Sequence, residues 1–173
     1  MKKILLVFGL LWTIVFVQAQ DIQLNQPTKT GGKPLMDALN SRQSERSYQK
    51  KDMPIQLLSD LLWATYGFNR DDKRTVPSSQ NRQEIDVYVM FDNGVYFYDA
   101  KENILKSVKE GDFREALGQA TITMDAALSF IFVANLDRAS SRDAAFTDTG
   151  YISQNVYLYA ASTGLGTDRK SVV

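Results

Sequence analysis

The chain has neither a cysteine nor a histidine among its 173 residues. Without thiols it can form no disulfide, thiolate nucleophile or cysteine-based zinc site. Without imidazole, no His-dependent catalytic triad can form within the chain. Basic and acidic residues number 20 each, with no basic run, so the electrostatic footprint of a nucleic-acid binder is missing. Carboxylates, lysines, tyrosines, serines or a bound cofactor are left to do chemistry. Hydrophobic residues make up 44%, which suits one globular domain with its own core.

Only one hydrophobic run is long, and it stands at the start. Lys2 and Lys3 precede an apolar stretch over residues 4–17, and Val17-Gln18-Ala19 has the small residues of a cleavage site. The run is short for a membrane span and lacks a charged stop after it, so residues 1–19 are expected to be a secretory signal peptide. No cysteine near the cut allows a lipid anchor. Export is the expectation, with no membrane association after cleavage. Cleavage removes two lysines and no acid, leaving a net charge of −2.

Residues 20–33 are polar and turn-rich, the composition of a mobile leader. Pro34 then starts a short helix with Leu35, Met36 and Leu39 on its apolar side. Arg42, Ser44 and Arg46 follow at every second position, which in an extended segment puts all three on one side. Two guanidiniums flanking a hydroxyl suit a phosphate, because each Arg can give it two parallel hydrogen bonds. A solvated charged edge, partly neutralised by Glu45, fits the same residues.

A helix is expected over Ile55–Tyr66, opened by Pro54 and stopped by Gly67 in the left-handed region. Residues 69–74 are read as a charged surface loop. Pro77, Ser78, Ser79, Asn81 and Gln83 then form a turn that enters a strand in which Ile85, Val87 and Val89 alternate with polar or aromatic residues. Such a loop, rigid and rich in hydroxyls and amides, can grip a polar ligand, with the Asn81 amide facing it. It can equally be an ordinary connection.

Asp92-Asn93-Gly94 marks a hairpin, and residues 105–108 a further short strand. Asp112 caps a helical stretch broken at Gly118. Residues 128–134 are continuously apolar, the mark of a central strand buried on both faces. A polar loop is expected over 135–147. The last helix is expected over 150–163, capped by Asp148 or Thr149 and ended by Gly164. It is apolar most of the way round, so it needs cover from the fold or from a partner.

Three motifs stand in order. They are Arg42-x-Ser44-x-Arg46, then Pro77-Ser78-Ser79-x-Asn81-x-Gln83, then Gly150-x-x-x-Gln154-Asn155 running to Gly164-Leu165-Gly166-Thr167. Together they resemble the FMN-dependent nitroreductase family. Leu61-Leu62-Trp63-Ala64 with Gly67-x-Asn69-Arg70 resembles its branch of azoline-oxidising dehydrogenases.

The resemblance implies an α+β fold, a central mostly antiparallel sheet flanked by helices, in an intertwined homodimer with FMN at the interface. It implies that Arg42, Ser44 and Arg46 hold the phosphate and ribityl chain. Ser78, Ser79, Asn81 and Gln83 would face the ribityl and ring of the flavin clamped by the other subunit. NADH or NADPH would then reduce the flavin, which reduces a nitro, quinone or similar small-molecule acceptor. No metal is implied. The family-like domain spans residues 34–173. The family continues past Gly-Leu-Gly-Thr with another strand, whereas residues 168–173 read Asp-Arg-Lys-Ser-Val-Val, so a C-terminally incomplete reading frame is expected. Two other functions fit the residues, a non-catalytic flavin- or ligand-binding remnant and a secreted interaction protein on the same scaffold.

Overall fold

The computed structural model describes residues 20–49, 51–118 and 120–169. The expected signal peptide (1–19) and residues 170–173 lie outside the described residues. In chain order the elements are β1 (Ile22–Gln23), α1 (Leu35–Ser41), α2 (Ile55–Tyr66), β2 (Phe68–Arg70), β3 (Lys73–Arg74), β4 (Ile85–Met90), β5 (Gly94–Asp99), β6 (Ile104–Glu110), α3 (Ala120–Thr123), β7 (Ser129–Ala134) and α4 (Arg142–Thr163). Strands β2 and β3 form a separate small hairpin. The other five make one antiparallel sheet in the order β1-β6-β5-β4-β7. Helices flank that sheet, giving the expected α+β architecture.

The period-2 pattern of β4 decides where the core lies. Ile85, Val87 and Val89 are buried beside Tyr96, Tyr98 and Leu105, and Leu58 and Leu62 of α2 and Ile152 of α4 cover them. On the opposite face Tyr88 and Phe97 pair across β4 and β5, with ring centroids 5.5 Å apart. Helix α4 ends at Gly164, whose φ of 77° is left-handed and lets its N–H reach Ala160 O. A Cβ there is strained, so Gly164→Ala should lower stability by about 1 kcal/mol in a urea titration. An unchanged midpoint would contradict that reading.

Several expectations are corrected. Residues 20–33 are not simply a mobile leader. Ile22 and Gln23 pair with β6, Leu24 is buried, and the Lys33 N–H bonds Ser162 Oγ. The proposed apolar side of α1 faces outward: Leu35, Met36 and Leu39 are exposed, and Ala38 is the buried residue. Gly67 stops α2 with extended backbone (φ −71°, ψ 176°), and glycine is needed for a different reason. A Cβ there would lie 2.8 Å from the Trp63 backbone. The charged loop over 69–74 contains the β2–β3 hairpin. Helix α4 begins at Arg142, eight residues early, because the Ser141 hydroxyl caps it by accepting the Ala144 N–H. Strand β7 lies at the sheet edge, with β4 as its partner, and its residues are half-buried apart from the exposed Val133. A continuous apolar run reports two faces that want cover, not which strands stand beside it.

Candidate functional site

The segment after α1 is extended from Arg42 onward, so alternate residues part to two sides. Gln43, Glu45 and Ser47 line a trough of about 1470 Å³ between α2, α4 and β7. On the other side, Arg42, Ser44 and Arg46 meet the end of α4 and the chain beyond it. The Arg42 guanidinium stands 5.2 Å from the Tyr157 ring centroid, and the hydroxyls of Ser44 and Tyr157 share a 3.1 Å hydrogen bond. Arg46 donates from Nε and Nη2 to the two oxygens of Asp168, at 2.9 and 3.3 Å. This two-pronged grip on a carboxylate is the one an Arg offers a phosphate. The donor set therefore fits the phosphate end of a flavin nucleotide. Burial, and next the nearby Asp168 carboxylate, push the Tyr48 hydroxyl up to about 12, so it stays a neutral hydrogen-bonding group.

The second motif lies elsewhere. Between β3 and β4 the chain makes a tight 3-10 turn, Ser79–Asn81, with φ of 54° at Gln80, 56° at Asn81 and 50° at Gln83. Left-handed backbone at non-glycine residues costs on the order of 1 kcal/mol each and persists only where the surroundings enforce it. Here the surroundings are dense. Ser78 Oγ accepts the Gln83 N–H at 3.0 Å, and Ser79 Oγ accepts from Ser140 at 3.0 Å. The Ser79 N–H donates to Asp148 Oδ2 at 3.0 Å, tying the loop to α4.

The amides are also committed. Asn81 Nδ2 donates to Asp72 O at 3.2 Å, and Gln83 Nε2 donates to the same oxygen at 2.7 Å. The expectation that the Asn81 amide faces a ligand is thus corrected: it braces the loop against the β2–β3 turn. Arg74 completes the brace, donating from Nε to Gln83 Oε1 at 2.9 Å. Its guanidinium lies 4.4 and 4.0 Å from the ring centroids of Tyr66 and Phe68. Beside Ser78 and Ser79 is a cavity of about 340 Å³, walled by Thr147, Asp148 and Tyr151 of α4.

The structure brings each motif together but keeps the two apart. Asp148, which holds the second, and Tyr157, which holds the first, are nine residues apart on α4. That is about 13.5 Å along the axis and two and a half turns, so they leave opposite faces of the helix. Sequence reasoning missed Tyr157, Asp168, Asp148 and Arg74. Tyr157, Asp168 and Asp148 act across long sequence separations, and only the placement of Tyr157 within the third motif hinted at one of them, whereas Arg74 acts on near neighbours, Tyr66, Phe68 and Gln83, inside a stretch read as a charged loop. Among the described residues no group of acidic side chains could hold a metal, and no helix is long and apolar enough to cross a membrane.

Comparison with known proteins adds an independent finding. The Nitroreductase family model matches residues 39–167, a span that includes both motifs and most of the sheet. A protein of Methanocaldococcus jannaschii named as a nitroreductase is 30% identical, with the match covering 77% of this chain and 76% of that one. A crystal structure from Ralstonia eutropha, also named as a nitroreductase, is 37% identical with a TM-score of 0.79, covering 86% of this chain and 74% of the other. One from Desulfovibrio desulfuricans, solved in complex with FMN, shares the fold at 17% identity and a TM-score of 0.57, covering 78% and 66%.

Proposed function

The chain belongs to the nitroreductase family, and from that premise we propose that it is an exported FMN-dependent oxidoreductase working as a homodimer. The carrying observation is the convergence of Arg42, Ser44 and Arg46 at the end of α4, where Arg46 already holds an oxyanion in two-pronged geometry. Bound there, FMN would supply the redox chemistry between NADH or NADPH and a nitro, quinone or similar acceptor. The protein's own residues then bind and orient. Arg42 and Arg46 neutralise the phosphate, Ser44 donates to it or to the ribityl chain, and Asp168 yields its place on Arg46. Ser78 and Ser79 present a braced loop rather than a flexible one.

The same geometry supports the homodimer reading. One flavin cannot touch two motifs on opposite faces of one helix, but the clamp of one subunit and the loop of another can share it. Exposed apolar residues support that assembly: Leu35 and Met36 on α1, Val133 on β7, Leu136, and Phe146 and Tyr151 on α4. Among the described residues, β7 has a strand on one side only, β4.

The test is direct. Purified protein supplied with FMN should turn yellow, retain the flavin on desalting and oxidise NADH or NADPH with a quinone or nitro acceptor. Arg42→Ala and Arg46→Ala should each weaken FMN binding roughly 10- to 150-fold, the loss of one charge-assisted hydrogen bond. If both variants bind FMN as tightly as the parent, the clamp is misassigned. A parent protein that ignores FMN overturns the oxidoreductase reading.

A further inference from the structure

At the start of β4, directly after the braced loop, Glu84 is 0% exposed, and among the described residues neither of its carboxyl oxygens has a donor partner. An ionised carboxylate so placed would cost several kcal/mol. Against it stands a second carboxyl. Asp148 of α4 is itself buried, is within hydrogen-bonding contact of Glu84, and uses Oδ2 to accept the Ser79 N–H. Two carboxylates in buried contact cannot both remain charged, and one proton between them satisfies both. We propose that Glu84 keeps its proton at neutral pH and donates it as a hydrogen bond to Asp148, and that this proton holds the 78–83 loop against α4. Glu84 and Asp148 are then positioning residues for the loop.

The surrounding groups agree with that assignment. From the segment before α4, Arg138 faces Glu84, but its Nη2 is engaged with Asp86 Oδ1 at 2.6 Å and with the Glu84 backbone carbonyl at 3.4 Å. Tyr66 at the end of α2 also faces it, with a hydroxyl pushed up to about 12, mainly by burial, and so neutral. Arg74 of β3 lies over the Tyr66 ring and donates to Gln83 and Tyr66 O. Burial first, then the contact with Asp148, holds the Glu84 carboxyl above the usual carboxylate range. The unfolded chain releases this proton in the ordinary range, while the folded chain keeps it to higher pH. The stability it provides is therefore full below the ordinary carboxylate range and is lost as pH rises through the folded value.

Two readouts on flavin-free protein test the pair, and a third rests on the flavin reading. At pH 7 the infrared spectrum should show the carbonyl stretch of a protonated carboxyl, absent in Glu84→Gln. In that variant the amide takes the place of the acid O–H. The parent's melting temperature should fall by about 3 °C per pH unit across the window above the ordinary carboxylate range. Glu84→Gln should lack that slope. Should Glu84→Gln fail to fold, Asp148→Asn keeps an acceptor for Ser79 N–H and should narrow the pH window of the slope without abolishing it, because burial still holds the Glu84 proton. FMN affinity should decline over the same window in the parent and stay level in the variant. No protonated-carboxyl band, or parallel pH slopes in parent and variant, would overturn the proposal. If the band and slope appear as expected but FMN binds at no pH, the Glu84 proton stands and the flavin reading fails.

Discussion

Asp112→Ala is expected to destabilise the protein by about 3–5 kcal/mol, because it strands a buried positive charge. Arg114 is only 3% exposed. Its Nε and Nη2 donate to the two oxygens of Asp112 at 2.9 and 2.7 Å, and its Nη1 donates to Ala126 O at 3.0 Å. Asp112 also accepts the Arg114 backbone N–H at 3.1 Å. The Asp112 bond comes first among the effects that hold the guanidinium above its ordinary range, ahead of the charges of Asp92 and Asp125. Those two acids soften the loss, so the lower end of the range is the better expectation. The consequence reaches the trough, because Leu117, Ile122 and Ala126 in its wall belong to the segment that Arg114 organises. Urea unfolding of the variant measures the effect, and a loss under about 1 kcal/mol would mean that water already solvates Arg114.

Arg74→Ala should cost about 2–4 kcal/mol, and it should loosen the loop that carries Ser78 and Ser79. The guanidinium touches two aromatic rings, each contact being worth about 1 kcal/mol when partly desolvated. Its hydrogen bonds to Gln83 Oε1 and Tyr66 O, both 2.9 Å, add a similar amount. Gln83 would keep its bond to Asp72 O but lose the partner that fixes its carbonyl. Lysine cannot replace both the planar stacking and the fork of donors, so Arg74→Lys should recover less than half of the loss. Chemical denaturation of both variants, with FMN titration alongside, separates the two effects. Full stability in Arg74→Ala would show that the ring contacts carry no energy.

Local signals in the sequence placed much of this fold. The alternation of Ile85, Val87 and Val89, the Asp92-Asn93-Gly94 turn and the Leu58–Leu62 face of α2 each follow from spacing alone, and each stands where expected. Errors arose where local chemistry had two outlets. Arg142 and Asp143 read as loop because their polarity suits a solvated first turn equally well, and they occupy one. Residues 128–134 looked central because apolar content cannot reveal sheet order. The even spacing of Arg42, Ser44 and Arg46 was legible, and the structure gathers them on one side. What they lean on was not, since Tyr157 and Asp168 lie more than a hundred residues away along the chain. The Asn81 and Gln83 amides were read as facing a ligand because nothing local showed that Asp72 would take them.

Helix α4 also constrains which genetic changes the family member can survive. It joins two separate attachments, Asp148 for the loop and Tyr157 for the clamp, through nine residues of continuous backbone. A point substitution between them leaves their relative orientation intact. Inserting or deleting one residue in that interval would turn one attachment about 100° relative to the other and shift it about 1.5 Å. No side-chain adjustment can reverse such a rotation. Length variation among relatives should therefore be absent from the 148–157 interval and collect in the surface turns, while within the interval only exposed positions such as Gly150 and Tyr151 are free to change identity.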